Sequence, residues 1–330
     1  MSSSSPSSAA LESYLRGFDQ ALQPWPRSPL PADPTLDWWR ELLLDPRPQH
    51  WWPELQQQLP QLLLQQLPGV SQSEQYKCAV LRGEPIGSDQ LLSLPPWECP
   101  EDMHLSIAEH PCGAMPVLRT PSWADFERLV RALAHRCEPV PLAGGVHAQA
   151  ISGLIHWGLI ARFGRQARAQ LIVLHDAPYG SVPASVLPWD LSEAEWTRRS
   201  GDLRLEHELT HLATKRVLGQ MRLNLLDELI ADAMGLLTTM GCYSAEVFAR
   251  CLGVDPKDGP QANGRWTSYV GDLDADCAQV VLGQAMQRAR ELEQILQDLG
   301  QEAIRQPREL LPWLCRQQLD RPIQPPTQRC

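Results

Sequence analysis

The segment His207-Glu208-Leu209-Thr210-His211 limits the local structure of this chain more than any other stretch. Residues four apart on an α-helix lie about 40° apart around its axis, so a helix here sets both imidazoles on one face. A divalent metal can bridge that pair, with Glu208 beside the open coordination position as a base. Two histidines make an incomplete zinc site, since catalytic zinc takes three protein ligands and a water. The later segment Asp227-Glu228-Leu229-Ile230-Ala231-Asp232 offers a carboxylate as the third.

The surrounding residues predict a pair of helices. The first begins near Ser200 or Asp202, either of which can cap it, and ends at Gly219, suited to the C′ position. The second opens at Asn224 and carries Leu225, Leu226, Leu229, Ile230, Ala233, Leu236 and Leu237. Two antiparallel helices joined by so short a turn return Glu228 to the histidines, with residues 212 to 227 lying between His211 and Glu228. Asp232 is one turn beyond Glu228 on the same face. There it can accept a hydrogen bond from the free N–H of a ligand imidazole and fix its tautomer. Asp227 is an alternative third ligand. Only one of the two acids can face the histidines, and Glu228 is preferred because Asp232 shares its face.

This block resembles the core of the gluzincin zinc metallopeptidases, in which an H-E-x-x-H helix is followed by a helix bearing Glu-x-x-x-Asp. The resemblance covers residues 206–232 of the 330. It implies zincin-like paired helices holding Zn2+ through His207, His211 and Glu228. Glu208 is then the catalytic base and Asp232 the partner of a ligand histidine, His207 first. The interval from His211 to Glu228 is shorter than in thermolysin-like members, which requires a tight turn. No familiar motif supplies an oxyanion-stabilising group. Tyr269, Tyr243, Tyr179 and His175 are available, and Arg265 with Tyr269 is the first choice. The HExTH … MRxNLLDELIAD block, with a strand followed by Pro-Tyr-x-x-Val-Pro-Ala, is also similar to an uncharacterised group of bacterial proteins.

The activity implied is zinc-dependent hydrolysis, most simply of a peptide bond in a peptide or protein substrate. The metal supplies Lewis acidity, and Glu208 carries the proton from water to the leaving amine. A second reading keeps the zinc as a structural clamp or sensor. A third has no metal, the helix being held by pairs of Glu206 or Glu208 with Arg204 or Lys215.

Elsewhere the pattern predicts a mainly helical α+β protein with one small mixed sheet. Residues 1–10 read as a disordered serine-rich tail, 11–119 as a Trp/Pro/Gln-rich helical region packed on the core, 120–320 as the metal-binding domain and 321–330 as a flexible tail. Helices are expected at 10–22, 35–44, 52–66, 147–160, 244–252, 273–298 and 308–318. Another is expected after Thr120 as cap, with Pro121 in its first turn. Strands are expected at 115–119 and 169–175, the latter a possible border of a cleft. The pairs Trp38-Trp39 and Trp51-Trp52 read as aromatic ridges docking small helices. His104, His110, His135, His147 and His156 lack metal-ligand spacing and read as structural or surface residues.

A net charge of −10 argues against a nucleic-acid partner. Nine cysteines without a C-x-x-C pair read as free thiols in a reducing compartment. No apolar run approaches the ~20 residues of a membrane span, and the N-terminus lacks the pattern of a secretory signal. The expected location is therefore cytoplasmic.

Overall fold

A computed structural model describes residues 6–326 apart from 20, 22, 143 and 144. The chain divides into two units, one of Pro29–Ala177 and one joining Met1–Ser28 to Pro178–Cys330. The compositional boundary at 119/120 falls inside the first unit, because the Trp-rich helices and the sheet strands on either side of it share one core.

That core explains the aromatic pairs. Trp39, Trp51, Leu55, Leu59 and Leu62 pack with Phe126, Leu129 and Val130 and with Leu118, Leu171 and Val173 of the sheet. Trp38 with Trp39, Trp51 with Trp52 and Trp52 with Trp97 meet edge to face, the arrangement the ring quadrupole favours. The sheet comprises β1 (His104–Ala108), β2 (Met115–Thr120), β3 (Ala148–Leu154) and β4 (Ala169–His175), in the order β1-β2-β4-β3. β2 and β4 run parallel while β1 and β3 flank them antiparallel, so the sheet is mixed. The aliphatic run Leu171-Ile172-Val173-Leu174 is buried on both faces, as suits an interior strand.

Two local expectations are corrected in this unit. The helix expected over 147–160 is β3, followed by a short helix Trp157–Phe163. The long edge of β4 supplies the partners that extend this segment, and Gly153 (φ +76°) takes up the register shift between Ser152 and Leu154. The cap before Trp123–Leu133 is Ser122, whose Oγ accepts from the Asp125 N–H at 3.1 Å; Thr120 stays in β2.

The second unit is helical. A helix of 26 residues, Glu193–Leu218, carries the H-E-x-x-H segment, and we refer to it as the histidine helix. Its cap is Ser192 rather than Ser200 or Asp202. Gly219 ends it in the left-handed region (φ +71°), as the sequence predicts. After the turn, Asn224 caps the acidic helix, Leu225–Met240, by accepting from the Asp227 N–H at 3.1 Å. Gly235 lets the two helices approach closely, since a Cβ there would lie 3.0 Å from the Leu203 carbonyl oxygen. Helices Ala245–Cys251 and Ala275–Ala303, the latter interrupted at Gly300, complete the bundle.

Of the serine-rich stretch, residues 1–5 lie outside the described residues, and Pro6–Ala10 belong to a helix, Pro6–Leu15, in place of the expected 10–22. At the other end, Ile323 is buried and its N–H donates to Glu291 Oε2 at 3.0 Å, so 321–326 is anchored; 327–330 lie outside the described residues. Among the described residues, eight cysteines are free thiols and no helix is long and apolar enough to cross a membrane.

Candidate metal centre

The histidine and acidic helices bring four potential donor atoms from three residues together. Nε2 of His207 and Nε2 of His211 are 3.0 Å apart. Oε1 of Glu228 lies 3.3 Å from the second, and Oε2 of Glu228 lies 3.6 Å from the first. Zinc bonds to nitrogen and oxygen at about 2.0–2.2 Å, so the edges of its coordination tetrahedron are about 3.3–3.5 Å. The His211–Glu228 distance falls in that range, and the 3.0 and 3.6 Å contacts lie within about 0.3 Å of it, the two Glu228 contacts being made by different oxygens. Among the described residues this is the one group of three or more His, Cys, Asp or Glu whose ligand atoms converge in this way.

Behind each imidazole stands a carboxylate. Asp232 Oδ1 is 2.7 Å from His207 Nδ1, the contact the sequence predicts. Asp227 Oδ1 is 3.3 Å from His211 Nδ1. The expectation that only one of Asp227 and Glu228 faces the histidines is therefore corrected. Glu228 meets the Nε2 atoms, while Asp227, one residue around the helix, reaches the far nitrogen of His211. The other Asp227 oxygen accepts from the backbone N–H groups of Arg222 and Leu223 at 2.9 and 3.0 Å. The same side chain thus closes the tight turn and stands behind His211.

Metal ligation requires neutral imidazoles, and in that state negative charge in the cluster exceeds positive. Asp227, Glu228 and Asp232 are each at most 1% exposed. Arg265 touches this set, donating from Nη2 to Glu228 Oε2 at 2.9 Å. With neutral imidazoles, three carboxylates against one guanidinium leave two uncompensated negative charges among these groups, a costly state for buried side chains. A divalent ion removes that excess, so the residues present fit such an ion. Burial opposes charge on Glu228, yet His207, His211 and Arg265 outweigh it and hold its carboxyl well below the usual range. Burial likewise opposes charge on His211, while Asp227 and Glu228 outweigh it and raise its pKa.

Glu208 lies between His207 and His211 in the helix and is partly exposed, unlike its buried neighbours. Tyr269 sits one link from the cluster: its hydroxyl accepts from Arg265 Nε at 3.2 Å, and Arg265 in turn holds Glu228. Burial pushes the Tyr269 phenol above its ordinary value, so it is a proton donor. Tyr269 also lines a cavity of about 550 Å³ with Tyr14, Arg222 and Asn224. Tyr243 is buried, and His175 lies at the end of β4 in the other unit. Arg308 grips Glu206 with two hydrogen bonds of 2.9 and 2.7 Å.

One contact has no precedent in the sequence reading. Tyr179 places its hydroxyl 3.0 Å from His207 Nδ1 and donates a short hydrogen bond to Asp232 Oδ1. The Pro-Tyr-x-x-Val-Pro-Ala segment marks this loop in the sequence, but nothing in its spacing connects it to a residue 28 positions away.

A family model described as "Family of unknown function (DUF7005)" matches residues 3–170 and 165–321. No curated protein matches the chain, and no solved structure matches it. The two matched segments span nearly the whole sequence, and the chain is a member of the DUF7005 family.

Proposed function

We propose that this chain is a zinc-dependent hydrolase of gluzincin-like type, acting on a peptide bond. The observation that supports it is the convergence of His207 Nε2, His211 Nε2 and the two Glu228 carboxylate oxygens, with contacts of 3.0, 3.3 and 3.6 Å. Zinc held there would supply Lewis acidity and a water acidified toward neutral pH. Glu208 is the general base: its carboxylate takes a proton from water and passes it to the nitrogen of the leaving amine. Asp232 and Asp227 hold the imidazoles from behind. Tyr269, steadied by Arg265, is the donor for the developing oxyanion, and the cavity it lines receives part of the substrate. The free cysteines fit a reducing compartment, and a cytoplasmic location belongs to the same proposal.

The deep burial of all three ligands, 7, 4 and 1% exposed, also suits a zinc held for structure alone. Glu208→Gln separates the two readings. The hydrolase requires a variant that keeps about one zinc per chain yet loses roughly 10²–10⁴-fold in peptide cleavage. Wild-type protein that binds zinc but cleaves nothing in a chelator-controlled peptide library would leave the structural reading. His211→Ala should abolish zinc binding under either.

A further inference from the structure

The loop 178–184 is held along a single stripe of the histidine helix. Glu193 Oε1 accepts from the Ala184 N–H at 2.9 Å, and Trp196 Nε1 donates to the Val182 carbonyl at 2.7 Å. Ser200 Oγ accepts from the Tyr179 N–H at 2.9 Å, and Arg204 Nη2 donates to the Pro178 carbonyl at 2.8 Å. These four helix residues and His207 follow one another at intervals of three or four, so they form one row leading to the metal cluster. The loop runs antiparallel to that row, and its main chain is bound at four points. The row also accounts for the early start of the helix at Glu193 and for the use of Ser200 as a docking group instead of a cap.

From its other side the loop meets Cys251, whose Sγ donates to the Tyr179 carbonyl at 3.8 Å. Gly180 (φ +60°) lies so close that a Cβ there would be 2.7 Å from Cys251 Cα. Ser181 also takes a left-handed conformation (φ +59°), which a serine adopts only when its surroundings impose it. The backbone of Tyr179 therefore has little freedom, and its hydroxyl is presented at a set point.

Counting protons at that point gives the hydroxyl a role. Three atoms meet there: Asp232 Oδ1, the Tyr179 hydroxyl and His207 Nδ1. The carboxylate oxygen can only accept, the phenol has one proton, and Nδ1 carries at most one. Both contacts to Asp232 are hydrogen bonds only if the phenol proton and an Nδ1 proton point at Oδ1. The neutral imidazole then has no proton on Nε2, the atom that faces His211 and Glu228. Tyr179 stands on the Nδ1 side with its one proton committed, which removes it from the candidates for oxyanion stabilisation.

We propose that Tyr179 is a positioning residue for the metal centre: delivered by the clamped loop, it locks Asp232 and the Nδ1–H form of His207 so that Nε2 is presented as a ligand. This role rests on the metal-site reading above. The probes are zinc alone, titrated against a chromophoric chelator, and Co2+ alone, whose visible spectrum reports coordination. Tyr179→Phe should weaken zinc binding about 10–100-fold and alter the Co2+ bands while the chain stays folded. Gly180→Ala, which keeps the phenol but displaces the loop, should alter the bands in the same sense. Wild-type affinity and an unchanged Co2+ spectrum in Tyr179→Phe would overturn the positioning role and leave the metal site standing. A lower melting temperature with an unchanged spectrum would reduce Tyr179 to a packing residue and overturn it equally. Wild-type protein that binds neither metal would overturn the site itself, and the role with it.

Discussion

Arg265 donates from Nη2 to Oε2 of Glu228 across 2.9 Å, so the carboxylate that completes the donor set is itself bound to a largely buried cation. The guanidinium is fully engaged: Nε donates to the Tyr269 hydroxyl at 3.2 Å, and its centre lies 5.3 Å from the middle of the Tyr179 ring. It is the group that partly balances the acids before any metal arrives. Replacing it with a neutral residue leaves a buried carboxylate uncompensated, which typically costs about 3–5 kcal/mol. Arg265→Gln should therefore lower stability by that order in chelator and regain part of it when zinc is added. Urea unfolding under both conditions measures this, and an equal loss in both would argue that Arg265 acts through packing alone.

Asp227 makes the turn and the site depend on one side chain. Asp227→Ala removes the acceptor of the Arg222 and Leu223 N–H groups and the carboxylate behind His211. The expected loss is roughly 2–4 kcal/mol in metal-free protein, about that of two backbone donors left without their partner. Asp227→Asn keeps one acceptor oxygen and should lose distinctly less. Denaturant midpoints of the two variants in chelator check the order; a reversed order would separate the turn from this carboxylate.

Tyr269→Phe removes the proposed oxyanion donor without touching a ligand. If it acts there, peptide cleavage should fall about 10²–10³-fold in kcat with zinc content unchanged. Unaltered kcat would move that role to another group.

A pH effect is expected in the unit Pro29–Ala177. His156 caps the helix Trp157–Phe163 by accepting from the Leu159 N–H through Nδ1, and its ring is packed edge-on against Trp38 with centroids 4.2 Å apart. Burial pushes its pKa down from 6.5 to about 4. The unfolded chain binds this proton first, so stability is full above pH 6.5 and falls as the pH drops toward 4. The loss approaches a ceiling on the order of 3 kcal/mol. His156→Asn keeps a capping acceptor but cannot titrate, and it should flatten that part of the stability curve. Tryptophan fluorescence during unfolding between pH 7 and 4.5 reads it directly, because Trp38 and Trp39 touch the ring.

Features of the centre set by short spacing are legible in the sequence. The interval between His207 and His211 puts two imidazoles on one face through the period of the helix alone. Gly219 and Asn224 are residues whose backbone and side chain suit a helix end and a helix start, so the turn between the two helices is also written locally. Given that turn, the return of Glu228 and Asp232 follows from the same period. The mainly helical α+β composition and the interior strand Ala169–His175 are read in the same way, from the type and run of side chains.

The helix expected over 147–160 shows where this reading stops. Ala148–Leu154 has an ambiguous pattern, and only the pairing with β4 selects the strand. The centre has the same division. Tyr179 is 28 residues from His207 and 53 from Asp232, and Arg265 is 37 from Glu228. Arg308 is 102 from Glu206. Backbone periodicity relates residues a few positions apart, because hydrogen bonds along one helix repeat every turn. Contacts between distant segments carry no such period, since they depend on how whole elements pack. The sequence by itself therefore determined which side chains could ligate a metal; the tertiary structure alone decided which tyrosine, which arginine and which second aspartate hold those ligands in place.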